Sequence, residues 1–191
     1  MPIDAADSIR IKFGGDNAAY FQILLDPDFK DNQRVFRSYA AKGIGGTTMQ
    51  VISATYEDYH LSNHKVLLTG RPYSKDRVHY GGGMIIGGDE KLYIVVGERY
   101  FREIDQPEMP VSQDYMDRRG KMYRINLDGT IPDDNPKWEE ETIPGLYALG
   151  ISATQGLTLS PNGQDIWFID HGTRQGDEVN KLERKLTMVG Q

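Results

Sequence analysis

Residues 84–96 read MIIGGDEKLYIVV and carry the clearest indication of the fold. Two apolar runs, Met84–Ile86 and Leu92–Val96, flank the short polar turn Gly87–Glu90. β-Branched and aromatic residues favour strands, and Gly-rich or Asp-rich turns of this length join antiparallel strands. The stretch therefore predicts a β-hairpin.

The same pattern of strand, tight turn and aromatic strand occurs twice more along the chain. The earlier copy comprises Gln22–Leu25, the turn Asp26–Asp28 and Arg34–Tyr39. The later copy comprises Gly156–Leu159, the turn Ser160–Gly163 and Asp165–Ile169. The turns lie roughly 60–75 residues apart, a spacing that fits propeller blades with long loop insertions. The repeat predicts an all-β chain that covers about three blades of a β-propeller.

The predicted blades span residues 9–75, 76–140 and 141–180, and a tail of helical composition follows at 181–191. Further strands are predicted at Thr47–Tyr56, Val66–Leu68 and Lys121–Asn126, and loops at Tyr100–Arg119 and Ile131–Pro136. Asp133–Pro136 lacks the ligand spacing of a calcium loop and is interpreted as a turn. Three blades leave two sheet edges and an apolar blade face unsatisfied. We therefore expect a fragment, a truncated protein or copies that associate to complete the ring.

The composition argues against several classes of protein. The 191 residues contain no cysteine, which excludes disulfides, zinc–thiolate sites and cysteine nucleophiles. The net charge of -6 and the lack of a Lys/Arg-rich run argue against nucleic-acid binding. No apolar run reaches the roughly 18 residues of a membrane helix. Met1–Asp4 lacks the pattern of a signal peptide, so we expect a cytoplasmic protein, or an export signal that was removed or never included.

Four sequence segments resemble the soluble glucose/sorbosone dehydrogenase family. They are Leu25–Asn32 (LDPDFKDN), Val78–Gly82 together with Leu92–Glu98, Gly120–Pro136, and His171–Asn180 (HGTRQGDEVN). The segments follow the order of the family's motifs between Ala18 and Asn180. The resemblance implies a six-bladed propeller that oxidises aldose sugars with pyrroloquinoline quinone (PQQ) and calcium, in the periplasm or as a secreted protein.

The resemblance also assigns roles to particular residues. His79 stands at the position of the family's general base, which takes the proton from the C1 hydroxyl of the sugar while hydride moves to the quinone. Glu98 stands where an acidic residue orients that imidazole. The carbonyls of Gly172 and Thr173 match the pair that binds the catalytic calcium, a cation that prefers oxygen ligands.

Other positions match the family more loosely or depart from it. Asn17 falls near a polar position beside the base, and Glu178 matches a position used for a second, structural calcium. Ser152 and Ala153 occupy the cofactor-binding positions of an Arg-Asn pair that meets the carboxylates and the reactive carbonyl of the quinone. Loss of a bidentate Arg contact removes a charge-assisted bond of about 1.5–3 kcal/mol. These departures predict weakened cofactor binding by this chain alone.

Three functional hypotheses remain at this point. The first is a PQQ- and calcium-dependent aldose dehydrogenase, which acts on an aldose and passes electrons to an acceptor. The second is a non-catalytic propeller relative that serves as a structural or binding module and self-assembles as two half-rings. The third is a hydrolase or lactonase propeller with a central metal and no quinone, for which the sequence shows no convincing set of three or four ligands. The sugar itself cannot be named, because specificity depends on the shape of the pocket.

Overall fold

The computed structural model describes residues 19–99, 110–154, 156–172 and 176–188. The candidate site residues Asn17 and Thr173 lie outside this part of the chain, and so does the first half of the predicted loop Tyr100–Arg119. Within the described residues, three antiparallel sheets follow one another along the sequence.

The first sheet has four strands in the order β1-β2-β3-β4. The strands are β1 (Tyr20–Leu25), β2 (Arg34–Gly43), β3 (Gly46–Glu57) and β4 (His60–Thr69). A short helix, α1 (Phe29–Asn32), extends the turn after β1. The buried carboxylate of Asp26 closes this turn, since it accepts hydrogen bonds from the side chains of Asn32 (2.9 Å) and Arg34 (2.6 Å).

The second and third sheets repeat the same up-and-down arrangement. The second consists of β5 (Gly81–Ile86), β6 (Leu92–Val96), β7 (Lys121–Ile125) and β8 (Leu146–Leu149), paired in that order. The third consists of β9 (Gly156–Leu159), β10 (Ile166–Asp170) and β11 (Glu178–Lys181), also paired in that order. The three predicted hairpins are therefore confirmed as β1–β2, β5–β6 and β9–β10.

The sheets stack face to face, so that the second sheet is covered on both sides. β6 shows this clearly, because side chains alternate across a strand. Ile94 packs in a core shared with Phe36 of the first sheet, whereas Val95 packs in a second core with Phe168 of the third sheet. Burial on both faces explains why β6 reads as an uninterrupted apolar run rather than an alternating one.

Polar contacts hold the first two sheets close together. The Ser38 hydroxyl donates to the carbonyl of Gly82 (2.6 Å), and the side-chain amide of Gln22 pairs with both backbone groups of Met84 (2.7 and 2.8 Å). Gly82 has φ +92, and a Cβ atom there would collide with the ring of Phe21. This close approach of β1 to β5 therefore requires glycine.

The described part of the chain is all-β, and its three successive sheets agree with the prediction of three blades. The three sheets cover Tyr20–Thr69, Gly81–Leu149 and Gly156–Lys181. The blade boundaries at 9–75, 76–140 and 141–180 stay predictions. No helix among the described residues is both long and apolar enough to cross a membrane.

The tail at 181–191 has a helical composition, but its described part is not helical, since Lys181 ends β11 and residues 182–188 contain no helix. It pairs instead with the open edge of β8. The Leu149 N–H donates to the carbonyl of Leu186 (3.0 Å), and the Met188 N–H donates to the carbonyl of Leu149 (3.0 Å). An edge strand leaves backbone groups unpaired, and these bonds satisfy them.

The segment Asp133–Pro136 forms a turn held by Arg124 of β7. The Arg124 guanidinium donates to both carboxylate oxygens of Asp134 (2.8 and 3.0 Å), and the Asn135 side chain donates to the carbonyl of Arg124 (2.9 Å). A carboxylate that already binds a guanidinium with both oxygens is poorly placed to bind calcium. The geometry therefore agrees with the interpretation of this segment as a turn.

Candidate active site

Four segments of the chain meet at one end of the sheets. His79 lies just before β5, Glu98 follows β6, Ser152–Thr154 follow β8, and Asp170 ends β10. Neighbouring strands are antiparallel, so the start of β5 and the ends of β6 and β8 lie at the same edge of the second sheet. Hydrogen bonds between the segments, described below, assemble them into one polar cluster.

His79 and Glu98 form a directly hydrogen-bonded pair. Nδ1 of His79 lies 2.6 Å from Oε1 of Glu98. The backbone aligns the two residues, since the Gly97 N–H donates to the carbonyl of Tyr80 (2.9 Å) and the Arg99 N–H donates to that of His79 (3.2 Å). His79 has φ +50, a left-handed conformation that costs energy for a residue with a side chain. The structure thus brings these two predicted site residues together.

The electrostatic surroundings make His79 a stronger base than a solvated histidine. The hydrogen bond to Glu98 raises the pKa of His79 above its ordinary value of 6.5 and outweighs burial, which lowers it. The charge of Glu98 raises this pKa further, while the nearby guanidinium of Arg99 lowers it. A carboxylate beside an imidazole stabilises the protonated ring, which is the form that exists after the base has taken a proton.

Ser152 connects the loop after β8 to this pair. Its hydroxyl donates to Oε1 of Glu98 (3.2 Å), and the Glu98 N–H donates to the carbonyl of Ser152 (2.8 Å). Oε2 of Glu98 is buried and accepts no hydrogen bond within the described part of the chain. Buried carboxylate oxygens are normally satisfied, so this atom is suited to a ligand hydroxyl or a cation.

Asp170 is the main site residue that the sequence analysis missed. Its buried carboxylate accepts hydrogen bonds from the N–H groups of Ser152 (2.8 Å) and Ala153 (2.9 Å) and from the hydroxyl of Thr154 (2.9 Å). Burial raises the pKa of Asp170, and these hydrogen bonds oppose that shift. The available signal was its place at the end of a strand, directly before His171.

Arg99 is a second residue that the sequence analysis missed. Its buried guanidinium donates to the carbonyls of Val78 (3.0 Å), Thr47 (2.9 Å) and Asp76, and it stacks over the ring of Tyr80 at 3.6 Å from the centroid. These contacts fix the loop that enters β5 and carries the predicted base. Its nitrogens donate within the protein, so Arg99 acts as a structural support rather than as a ligand contact.

Two further candidates border the cluster. Ala153 is buried and contributes only its backbone N–H, which already donates to Asp170. The N–H of Gly172 donates to the carboxylate of Asp177 (3.2 Å). A Cβ atom on Gly172 would collide with the carbonyl of Gly176, so this close backbone approach requires glycine.

Two of the three residues assigned to calcium, Gly172 and Glu178, lie in the described part of the chain. Glu178 begins β11, and its carboxylate accepts a hydrogen bond from Asn180 (3.1 Å). Among the described ranges, no group of three or more His, Cys, Asp or Glu residues could hold a metal ion. Asn17 and Thr173 fall outside those ranges. The calcium assignments of Gly172, Thr173 and Glu178 and the role of Asn17 therefore stay predictions.

Replacing Glu98 with glutamine is expected to lower the pKa of His79 toward 6.5, because the carboxylate that raises it is lost. A raised histidine pKa stabilises the fold below the unfolded pKa, and this contribution disappears as the pH rises through the folded pKa. The Glu98→Gln variant should therefore lose more unfolding free energy at acidic pH than at alkaline pH. NMR titration of the His79 ring measures the pKa, and urea denaturation measures the stability.

The matched control for this prediction is Glu140→Gln, which changes an exposed carboxylate away from the cluster. This variant should leave the His79 titration unchanged. An unaltered His79 pKa in the Glu98→Gln protein would show that the pair does not control the proton affinity of the ring.

Comparison with known proteins identifies relatives of this chain. The sequence profile of the family described as Glucose / Sorbosone dehydrogenase matches residues 10–186. Quinoprotein glucose dehydrogenase B of Acinetobacter calcoaceticus is 32% identical over 176 residues, which are 82% of this chain and 36% of that protein. Aldose sugar dehydrogenase YliI of Escherichia coli is 29% identical over 162 residues, which are 83% of this chain and 42% of that protein.

A solved structure shows the same architecture. The apo-form of the soluble aldose sugar dehydrogenase from Escherichia coli superposes with a TM-score of 0.83 at 26% identity, over 97% of this chain and 51% of that one. The chain thus spans less than half the length of the two curated relatives and about half of the solved structure. On the strength of the profile match and the shared architecture, this chain belongs to the glucose/sorbosone dehydrogenase family.

Proposed function

We propose that this chain carries the proton-abstracting part of an aldose dehydrogenase site, with His79 as the general base. The observation that carries the proposal is the 2.6 Å pair of His79 and Glu98, placed where four segments of the fold converge. The relatives named as aldose sugar and glucose dehydrogenases support an aldose as the substrate. Oxidation of a hydroxyl group needs a base positioned to take its proton.

Each residue of the cluster has a separate role in the proposed proton abstraction. Glu98 accepts a hydrogen bond from Nδ1–H of His79, so Nε2 is the ring atom that takes the proton from the C1 hydroxyl. The Glu98 carboxylate then offsets the positive charge of the imidazolium, as a carboxylate does in other base–orienter pairs. Ser152 supports Glu98 through its hydroxyl, and Asp170 holds the backbone of Ser152 in place.

The cofactors implied by the family fit this cluster to different degrees. When bound, PQQ would accept the hydride from C1, and calcium would polarise the quinone carbonyl. The carbonyl oxygens of Gly172 and Thr173 would hold calcium, which prefers such ligands. For PQQ the fit is poorer, because Ser152 and Ala153 offer no cation and their N–H groups already donate to Asp170. The described side chains therefore support the proton transfer to His79 better than they support PQQ binding.

We extend the proposal to an external electron acceptor and to a periplasmic or secreted location. An oxidised sugar leaves two electrons on the cofactor, so a second partner must remove them before the next turnover. The location follows only from the resemblance to the family.

Thermal unfolding in the presence of PQQ and calcium tests the proposal. A ligand that binds only the folded state stabilises it by about 2.7 kcal/mol at a hundredfold excess over its dissociation constant, so we expect the midpoint to rise. The double variant Ser152→Arg/Ala153→Asn should show a larger rise at the same PQQ concentration. The reason is that it regains a charge-assisted bond of about 1.5–3 kcal/mol.

Two controls accompany this measurement. Calcium alone and PQQ with a chelator separate the contributions of the two ligands. If PQQ with calcium raises the midpoint of neither protein, the dehydrogenase proposal fails for this chain.

The second candidate function is a non-catalytic structural or binding module, and one observation favours it. The segment matched to the quinone site offers no cation at Ser152 or Ala153, and Asp170 already satisfies its backbone donors. A chain that binds no PQQ but keeps the His79–Glu98 pair would fit this second candidate. Unchanged stability of wild type and double variant with PQQ, together with no sugar oxidation, would establish it.

A further inference from the structure

Lys121, the first residue of β7, is completely buried. Its cross-strand neighbours are Val96 and Leu149, and both belong to the core shared with the first sheet. A lysine can pack its apolar stem against such neighbours while its ammonium reaches a polar site. Burial lowers the pKa of Lys121 to about 8, because the ammonium loses hydration there. A lysine at a core position therefore requires a compensating set of contacts.

The ammonium of Lys121 joins the two ends of one loop. It donates hydrogen bonds to the carbonyl of Val111 (2.8 Å) and to the carbonyl of Arg119 (2.7 Å). We call residues 111–120 the β7 entry loop, since they lead into that strand. Hydrogen bonds from an ammonium are charge-assisted and stronger than bonds between neutral groups. A buried cation thus closes the β7 entry loop.

The β7 entry loop in turn holds the segment that follows β8. The Gly150 N–H donates to the carbonyl of Ser112 (2.8 Å). The Ile151 N–H donates to the carbonyl of Gly120 (3.1 Å). Each acceptor is the residue directly after one whose carbonyl binds the ammonium of Lys121. The position of Gly150 and Ile151 therefore depends on the two loop ends that Lys121 joins.

Ser152 is the next residue, and it contacts Glu98 through two groups. Its carbonyl accepts a hydrogen bond from the Glu98 N–H (2.8 Å), and its hydroxyl donates to Oε1 of Glu98 (3.2 Å). The same Oε1 atom lies 2.6 Å from Nδ1 of His79. A hydroxyl that donates to a carboxylate oxygen stabilises its negative charge, and this weakens the attraction of the oxygen for the proton of the ring. The contact of Ser152 therefore limits how far Glu98 raises the pKa of His79.

We propose that Lys121 is a positioning residue for the general base. By joining the ends of the β7 entry loop, its ammonium holds residues 150 and 151 in place, so that the Ser152 hydroxyl stays bonded to Glu98. Lys121 acts through the backbone of two loops rather than by contact with the sugar. This inference rests on the proposed role of His79, but its test needs neither PQQ nor sugar, so the inference and the dehydrogenase proposal can fail separately.

Titration of the His79 ring by NMR tests the positioning role. Lys121→Met keeps an apolar stem and removes the ammonium, so the pKa of His79 should rise as the Ser152 hydroxyl leaves Glu98. Ser152→Ala removes the hydroxyl directly and should raise this pKa by a similar amount. The double variant should match Ser152→Ala, because both changes remove the same contact. Additive rises would overturn the proposal, since a direct effect of the lost charge on His79 would persist without the Ser152 hydroxyl.

Tyr123→Phe is the matched control for a lost hydrogen bond to the same loop. The Tyr123 hydroxyl donates to the carbonyl of Arg118 (2.7 Å), a single residue of the β7 entry loop, and so does not join its two ends. This variant should lose stability in urea and leave the His79 titration unchanged. A shift of the His79 pKa as large as that of Lys121→Met would show that any loosening of the loop suffices, and the proposal would fail.

Amide hydrogen exchange measures the contact between the two loops directly. In Lys121→Met the amides of Gly150 and Ile151 should exchange at least about tenfold faster, since local opening exposes them, whereas Ser152→Ala should leave their exchange unchanged. Lys121→Gln keeps a shorter, neutral donor and is the second variant if Lys121→Met does not fold. It should change the exchange and the His79 pKa in the same direction but less. Unchanged exchange and an unchanged His79 pKa in a folded Lys121 variant would overturn the proposal.

Discussion

Replacing His79 with glutamine is expected to lower kcat for aldose oxidation by about 10²–10⁴-fold, which is the usual contribution of a general base. Glutamine can still form a hydrogen bond with Glu98, but it cannot take a proton. The measurement is the reduction of an artificial electron acceptor with PQQ, calcium and an aldose in excess. KM should change much less than kcat, because the base acts in the transition state rather than in sugar binding.

The pH profile supplies a readout that a structural defect would not change. Activity of the wild type should rise with pH as His79 loses its proton, because only the neutral ring can act as a base. In the Glu98→Gln variant this rise should move to lower pH, since the carboxylate that raises the pKa of His79 is gone. His64→Gln, at an exposed position of β4, is the matched control and should keep the wild-type rate. A His79→Gln variant with the wild-type rate and profile would remove His79 from the mechanism.

Replacing Asp170 with alanine is expected to lower the free energy of unfolding by about 3 kcal/mol, because buried donors lose their acceptor. The substitution leaves the N–H groups of Ser152 and Ala153 and the hydroxyl of Thr154 without their acceptor. Each buried donor without a partner costs about 1–3 kcal/mol, and water that enters the space left by the carboxylate recovers part of the total. Urea denaturation with an unchanged m value measures the loss.

Two further variants bracket this effect. Asp170→Asn keeps one acceptor oxygen and should lose less stability than Asp170→Ala. Asp133→Ala removes an exposed carboxylate of the turn after β7 and should change the stability by less than about 0.5 kcal/mol. If Asp170→Ala were as stable as Asp133→Ala, the three hydrogen bonds to Asp170 would not support the loop after β8.

The hairpins were predictable from the sequence because they depend on neighbouring residues. In β5–β6 the turn and both strands lie within 81–96, so local preference and pairing agree. The apolar run of β6 predicted a strand but not which side chains enter which core. Ile94 and Val95 enter different cores because the first and third sheets cover opposite faces of the second sheet.

The candidate site was only partly predictable. The resemblance to the family pointed to His79 and Glu98, and the structure brings them within hydrogen-bonding distance. Asp170 and Arg99 carry no motif of their own, and their partners lie far away in sequence. The helical composition of the tail was misleading, because pairing with the edge of β8 outweighs the weak helix preference of so short a segment.

The all-β class, the three hairpins in their order and the absence of cysteine chemistry follow from the amino-acid sequence, since each depends on composition or on short-range pattern. The contacts of Ser152 with Glu98, 54 residues away, and with Asp170, 18 residues away, arise only when the sheets pack together. Packing of the three sheets also leaves Arg37 buried without an acceptor among the described residues. The pattern of a strand shows which side chains are buried. The hydrogen-bond partner of a buried polar group depends on which sheet packs against it, and this packing forms only in the folded chain.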